Sequence, residues 1–241
     1  SHGKYLGRID LKVNNGKVVE TSSNLIPIFS DVIPPDKEIS NLINKVRFPF
    51  EKECNRVIGE TETLLYRRGN FNGSWDDVIC DTIIQERDTE ISLSPGFRWG
   101  TSILPGQKIT IDDIYSQTAM NYPEVYRTEM TGKMIKELLE DVCDNIFNPD
   151  PFFQQGGDMV RVGGLTYTCS PKNKIGKRIS NLRMVSKDKP LEASKKYIVG
   201  GWGSINPNVE GPPIYRLLEN YISNKKVLTK NNLNAVNVKG M

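Results

Sequence analysis

Three arginines, Arg67, Arg68 and Arg98, stand in two short segments rich in glycine and aromatic residues: Y-R-R-G-N-F-N-G-S-W-D-D from Tyr66 and S-P-G-F-R-W-G from Ser94. A guanidinium fork in a turn offers paired, charge-assisted hydrogen bonds to an anion, and neighbouring glycines let backbone close around it. Asn70 and Trp99 sit beside these arginines and would shape the same pocket. A plainer account is equally open, in which Phe71, Trp75, Phe97 and Trp99 fill a core and the arginines form a solvated rim.

Two more loops combine glycine with polar or aromatic groups: Gln154 to Gly164, read Q-Q-G-G-D-M-V-R-V-G-G, and Gly200 to Pro213, which carries Trp202. Gly157 and its neighbours free backbone N–H groups that suit an oxyanion. Asp158 with Arg161 is either a structural ion pair or a ligand contact, and the tight-turn account of this loop stays open beside the binding one. Neither GxxxxGK[ST] nor GxGxxG occurs, so no standard phosphate loop is present.

The carboxylate pairs Asp76/Asp77 and Asp112/Asp113 fall in the first turns of predicted helices, where negative charge offsets the macrodipole, and read as caps. His2 is the only histidine. That excludes a histidine-based triad or a multi-histidine metal centre on this chain, so no catalytic group, metal ligand or cofactor is expected on it. Cys54, Cys80, Cys143 and Cys169 show no CxxC spacing and suggest neither a zinc site nor a disulfide framework. Cys80 and Cys143 fall at apolar helical positions, which predicts buried thiols.

The 241 residues, 37% hydrophobic and 25% charged, suffice for a sizeable core. A formal charge of +3, with basic and acidic residues interleaved, provides no stripe for nucleic acid. No apolar run approaches the roughly 20 residues of a membrane helix, and no signal-peptide pattern is visible.

The elements that must position these loops follow from periodicity. Alternation from Tyr5 to Val13, then N-N-G and K-V-V-E-T, predicts a hairpin. Ile39, Leu42, Ile43, Val46, Phe50, Cys54 and Val57 recur every three or four residues, a long connecting helix kinked at Pro49. Beyond Gly59 strands and helices mix. A helix capped by Ser74 carries Trp75, Val78, Ile79 and Ile83 inward, Glu90 to Leu93 is a strand, Thr110 and Asp113 bracket a helix start, and Glu124 to Thr128 is a strand. A helix from Thr131 to about Ile146 precedes strands near 160–169, 178–185 and 197–201. Pro212 and Pro213 start a last helix, and the residues after Ser223 read as peripheral.

Five blocks together, L-L-Y-R-R-G-N-F-N-G-S-W-D-D-V-I-C-D, S-P-G-F-R-W-G-T-S-I-L-P-G-Q, Y-P-E-V-Y-R-T-E-M-T-G, N-P-D-P-F-F-Q-Q-G-G-D-M-V-R-V-G-G-L-T-Y and E-G-P-P-I-Y, resemble the C-terminal part of the SoxB thiosulfohydrolases of bacterial sulfur oxidation. These form a branch of the 5'-nucleotidase superfamily. The likeness runs from Gly3 to about Ile222. It implies an α+β fold: a mixed sheet with packed helices, preceded by a β-hairpin and a long linker helix. Residues 1–34 would close an N-terminal metallophosphoesterase domain, 35–58 form the linker, 59–223 the substrate-binding domain and 224–241 a peripheral tail.

The resemblance further implies a periplasmic enzyme that hydrolyses cysteine S-thiosulfonate on the carrier SoxYZ and releases sulfate. Its two metal ions, commonly manganese, would be held by the N-terminal domain, the chain's other expected partner. Arg98 matches the arginine that follows the Gly-rich loop of nucleotidases, and Arg67 and Arg68 lie near their earlier substrate-contacting arginines. Where nucleotidases sandwich a base between two phenylalanines, this chain has Asn121 and Tyr122, and the second aromatic would have to be Trp202. That departure weakens the alternative of a nucleotide-binding phosphohydrolase domain. A non-catalytic carrier-binding module is the third alternative.

Overall fold

The computed structural model describes residues 3–67, 69–97, 100–118, 122–204, 206, 208–229 and 236–240. Of the candidates above, Arg68, Arg98, Trp99 and Asn121 lie outside these residues. The chain divides into two units, Ser1–Glu53 and Cys54–Met241.

In the first unit, β1 (Tyr5–Asn14) and β2 (Lys17–Pro27) pair antiparallel. They are joined through Asn15 and Gly16, both at positive φ, the two-residue turn whose twist matches a hairpin. Helix α1 (Lys37–Arg47) starts at Asp36, whose carboxylate accepts the Ile39 N–H at 2.9 Å. At Phe48–Phe50 the chain tightens into a 3-10 turn around Pro49 before the short helix α2 (Glu51–Cys54). Proline removes a helical hydrogen bond there, which is the physical origin of the expected break.

The second unit runs β3 (Val57–Thr61), α3 (Ser74–Arg87), β4 (Ile91–Ser94), β5 (Lys108–Thr110), α4 (Ile111–Thr118), β6 (Tyr126–Thr131), α5 (Gly132–Phe147), β7 (Arg161–Gly163), β8 (Leu165–Cys169), β9 (Ile179–Met184), β10 (Lys189–Pro190), β11 (Lys196–Gly201), α6 (Ile214–Lys225), β12 (Val227–Leu228) and β13 (Val236–Val238). Its strands pair in the orders β6-β11-β4-β7, β10-β9-β8-β13 and β12-β3-β5. In the first of these β11 runs parallel to β4 and antiparallel to β6, so the sheet is mixed and the fold class is the α+β one expected.

Helical spacing decides which side chains face inward. Trp75, Val78, Ile79 and Ile83 of α3 pack with Ile111 and Ile114 of α4 and with Leu217, Leu218 and Ile222 of α6. A second core joins Ile135, Leu139 and Cys143 of α5 to Ile91 and Leu93 of β4 and to the sheet containing β8 and β9. Thr131 caps α5 by accepting the Met134 N–H at 3.2 Å. Thr110 and Asp113 cap α4 reciprocally: the Asp113 carboxylate accepts the Thr110 N–H at 2.8 Å, and Thr110 Oγ1 accepts the Asp113 N–H at 3.3 Å. Cys80 and Cys143 are buried, as their positions predicted.

Five expectations change. The helical spacing read through Val57 ends at Cys54, and Val57 opens β3, where its backbone pairs with Thr110. Ser74 does not cap α3; it is the first helical residue, and its hydroxyl donates to the Leu64 carbonyl while accepting the Tyr66 N–H. The strand expected over 160–169 breaks at Gly164, where φ is +71° and a Cβ would lie 2.3 Å from the Glu90 carbonyl oxygen. Its halves, β7 and β8, therefore enter different sheets. The strand expected to start at Glu124 begins at Tyr126, and Glu124 forms only an isolated bridge with Pro213. The residues after 223, read as peripheral, supply β12 beside β3 and β13 beside β8, because backbone edges left open there accept them.

Candidate functional site

Arg67 ends the segment after β3, and each of its three guanidinium nitrogens donates to a partner inside the protein. Nε donates to the Asp76 carboxylate at 2.8 Å, Nη1 to the Gln117 carbonyl at 2.7 Å and Nη2 to the Pro95 carbonyl at 2.9 Å. Five donors in a fixed planar fork suit this task, since one side chain can hold three backbone segments in register. The segments are the start of α3, the end of α4 and the S-P-G-F loop that leads to Arg98. The ring of Phe97 lies 5.9 Å from the Arg67 guanidinium carbon and covers it further. Arg67 was a candidate for direct substrate contact; the structure places it behind the loops as their anchor.

Arg161, on β7, repeats the device from the other side. Its side chain is 1% exposed; Nη2 donates to the Gly69 carbonyl at 2.6 Å, and the guanidinium lies 3.2 Å from Asp76 and 3.5 Å from Asp158. Two guanidiniums and two carboxylates thus neutralise one another in the interior, the condition under which buried charge is tolerated. Burial pulls the Arg67 guanidinium down and pushes the Asp76 carboxyl up, and the attraction between the two opposes both shifts. Arginine keeps its proton in proteins, so Asp76 is its required counter-charge. Asp76 is therefore more than the cap that its place in a first helical turn suggested. Asp158 and Arg161, left open between two roles by the sequence, are an ion pair.

The remaining candidates divide by burial. Asn70 is exposed, and its carbonyl accepts the Met159 N–H at 3.1 Å, which stitches the R-R-G-N-F loop to the Q-Q-G-G-D-M segment. Gly157 is exposed with φ +91° and open space where a Cβ would point. Tyr122 is 42% exposed, and its carbonyl accepts the Gly203 N–H at 3.1 Å. Trp202 is 3% exposed; its indole N–H donates to Ser94 Oγ at 2.8 Å and its ring meets Phe97 edge-on at 6.4 Å. It is a core residue with its one polar atom satisfied, so it offers no free face to a ligand. Gly96 brings the S-P-G-F loop against the same segment, with the place of a Cβ only 2.3 Å from the Met159 carbonyl oxygen.

The described residues of these loops, Arg67, 69–74, 94–97, 117–118, 158–161 and Trp202, are thus drawn together. Sequence reasoning missed three of the residues that assemble them: Asp76, Gln117 and Ser94. One signal for Asp76 was available, since Arg161 lies between Val160 and Val162, and an arginine in an apolar run calls for an anion nearby.

Among the described residues no group of three or more His, Cys, Asp or Glu side chains could hold a metal ion. The carboxylates of Asp76 and Asp158 pair with arginines, so the described residues do not fit a hydrolytic metal centre. Also among the described residues, no helix is long and apolar enough to cross a membrane.

Residues 57–205 match the family described as 5'-nucleotidase, C-terminal domain. The chain is similar to the trifunctional nucleotide phosphoesterase protein YfkN of Bacillus subtilis, 25% identical over 200 residues that make up 77% of this chain and 13% of that protein. It is also similar to the solved structure of Thermus thermophilus sulfate thiohydrolase SoxB in complex with glycerol, with TM-score 0.91 and 32% identity over 99% of this chain and 45% of that one. A 5'-nucleotidase precursor, also from Thermus thermophilus, shares the fold, with TM-score 0.80 and 18% identity over 99% of this chain and 50% of that one. The chain therefore spans about half the length of these solved proteins.

Proposed function

The chain belongs to the 5'-nucleotidase C-terminal domain family, and from that premise we propose that it is the substrate-binding part of a thiosulfohydrolase. In this reading the whole enzyme hydrolyses cysteine S-thiosulfonate on the SoxYZ carrier and releases sulfate. The observation that carries the reading is the 32% identity to a sulfate thiohydrolase across 99% of this chain, against 18% to a 5'-nucleotidase of equal coverage. Trp202 supports it further, because the second aromatic needed to sandwich a base is buried and bonded to Ser94.

Arg98 and Arg68 make charge-assisted hydrogen bonds to the sulfonate. Arg67 and Arg161 fix the segments that carry them, with Asp76 and Asp158 as counter-ions, so the cost of orienting the site is met in the fold before substrate arrives. Trp99, Asn121, Tyr122, Asn70 and the open backbone at Gly157 line the slot for the carrier's extended arm. Residues 1–34 close a metal-binding domain, 35–58 link to it and 59–223 bind substrate. Exposed apolar side chains on the hairpin, among them Ile9, Leu11 and Val13, support a covering domain. Hydrolysis belongs to that domain, whose metal ions, commonly manganese in this family, would supply a Lewis acid and an activated water; this chain alone does not catalyse it. The enzyme works in the periplasm.

Calorimetric titration of the protein with a short peptide bearing cysteine S-thiosulfonate, and separately with AMP, tests the reading. Binding of the peptide that weakens at least tenfold in Arg98→Ala, with no heat from millimolar AMP, is expected. AMP binding without peptide binding would establish the nucleotide alternative instead.

A further inference from the structure

Cys143 and Cys169 lie far apart in sequence, one on α5 and one at the end of β8, yet their sulfurs are 3.6 Å apart in the second core. Both side chains are fully buried. From this geometry we infer that Cys143 and Cys169 form a disulfide cross-link between α5 and β8.

A disulfide needs an S–S separation of about 2.05 Å, so closure asks for about 1.5 Å of sulfur movement, within reach of side-chain rotation at two residues already in contact. The surroundings hold both partners still. One turn before Cys143, the Glu140 carboxylate accepts the N–H groups of Gly176 at 2.8 Å, Arg178 at 3.2 Å and Ile179 at 2.8 Å. One residue after Cys143, Asp144 pairs with Arg178. Immediately after Cys169, Ser170 N–H donates to the Arg178 carbonyl at 2.8 Å. The cysteines are thus clamped from both sides by the same loop, and a bond between them joins positions already fixed.

The oxidant is an organic disulfide, whether of glutathione or of a disulfide-bearing oxidoreductase. The thiolate of one cysteine attacks it, forming a mixed disulfide and expelling one thiolate. The thiolate of the other then attacks the protein-bound sulfur, forms the Cys143–Cys169 bond and expels the second thiolate. Two protons leave the protein, and two electrons pass to the organic disulfide, which ends as two thiols. Because neither sulfur meets solvent in the folded protein, exchange proceeds before α5 packs on β8 or during transient opening.

Cleavage after Lys136, Arg161 and Lys172 separates the two cysteines into peptides 137–161 and 162–172, which makes the link directly readable. The protein is incubated with glutathione disulfide at a urea concentration below its unfolding midpoint, then alkylated in full denaturant without reductant and digested with trypsin. A linked pair of these peptides, lighter by two hydrogens than their sum, is expected, with Cys80 alkylated. Stoichiometric alkylation of both Cys143 and Cys169, or linkage of either to Cys80, would overturn the inference. Reductant should also lower the urea midpoint of the oxidised wild-type protein and leave that of Cys143→Ala unchanged; an unchanged wild-type midpoint would count equally against it.

Discussion

Arg67 Nε lies 2.8 Å from the Asp76 carboxylate with both side chains out of solvent, at 0% and 1% exposure. Removing one partner leaves the other charge buried without compensation, which typically costs about 3–5 kcal/mol. Asp76→Asn keeps the shape of the side chain and deletes its charge, so it isolates that effect for Arg67 and Arg161 together. A fall in unfolding free energy of that size is expected from urea denaturation, and a change below about 1 kcal/mol would show the pair to be dispensable.

Gly96 approaches the Met159 carbonyl too closely for any side chain. Gly96→Ala forces the S-P-G-F loop away from the Q-Q-G-G-D-M segment at a cost of about 1–3 kcal/mol. Because that loop leads to Arg98, affinity for a thiosulfonate peptide should fall tenfold or more, read by calorimetry on the folded variant.

Trp202→Phe deletes the bond to Ser94 and leaves a buried hydroxyl unpaired, costing about 1–3 kcal/mol. Affinity for the thiosulfonate peptide should stay within twofold of wild type, since the indole has no exposed face. A large loss of affinity without loss of stability would place the ring in the binding slot.

The hydrogen bond from Arg178 holds the Asp144 carboxyl below the usual carboxylate range, with Asn148 adding to the effect. A depressed folded value means that this contribution to stability is fully present above the unfolded carboxylate value of about 3.9 and is lost as pH falls through the lower folded value. Urea midpoints measured from pH 6 downward should therefore differ between wild type and Asp144→Asn by a steady amount down to about pH 4, the difference shrinking only below that and vanishing once pH is under the depressed folded value. A difference that stays constant below about pH 4 would contradict the assignment.

Much of the second unit was legible in the sequence because its helices carry strict apolar spacing. The α3 face of Trp75, Val78, Ile79 and Ile83, the extent of α5 and the burial of Cys143 on it could be read directly. Gly164 was harder. Its left-handed backbone divides one apolar run between two sheets, a long-range outcome that alternation alone does not encode. β12 and β13 were invisible for a related reason, since two or three residues acquire strand geometry only by docking on an existing edge. At the site, residue types marked the right loops but not the roles within them. Arg67 was open between a ligand contact and a solvated rim, and Arg161 between a ligand contact and an ion pair with Asp158, because residue type alone does not place a guanidinium. Their counter-ion Asp76 looked like a cap because a first helical turn accounts for a carboxylate well enough without them.

The central claim, that these loops present a sulfonate to a hydrolytic centre on a partner domain, is tested most directly by product analysis of the full-length, metal-loaded protein. It predicts sulfate release from cysteine S-thiosulfonate on its carrier, reduced at least a hundredfold in kcat/KM by Arg98→Ala, and no phosphate from AMP. Phosphate release from AMP with the thiosulfonate left intact would contradict it.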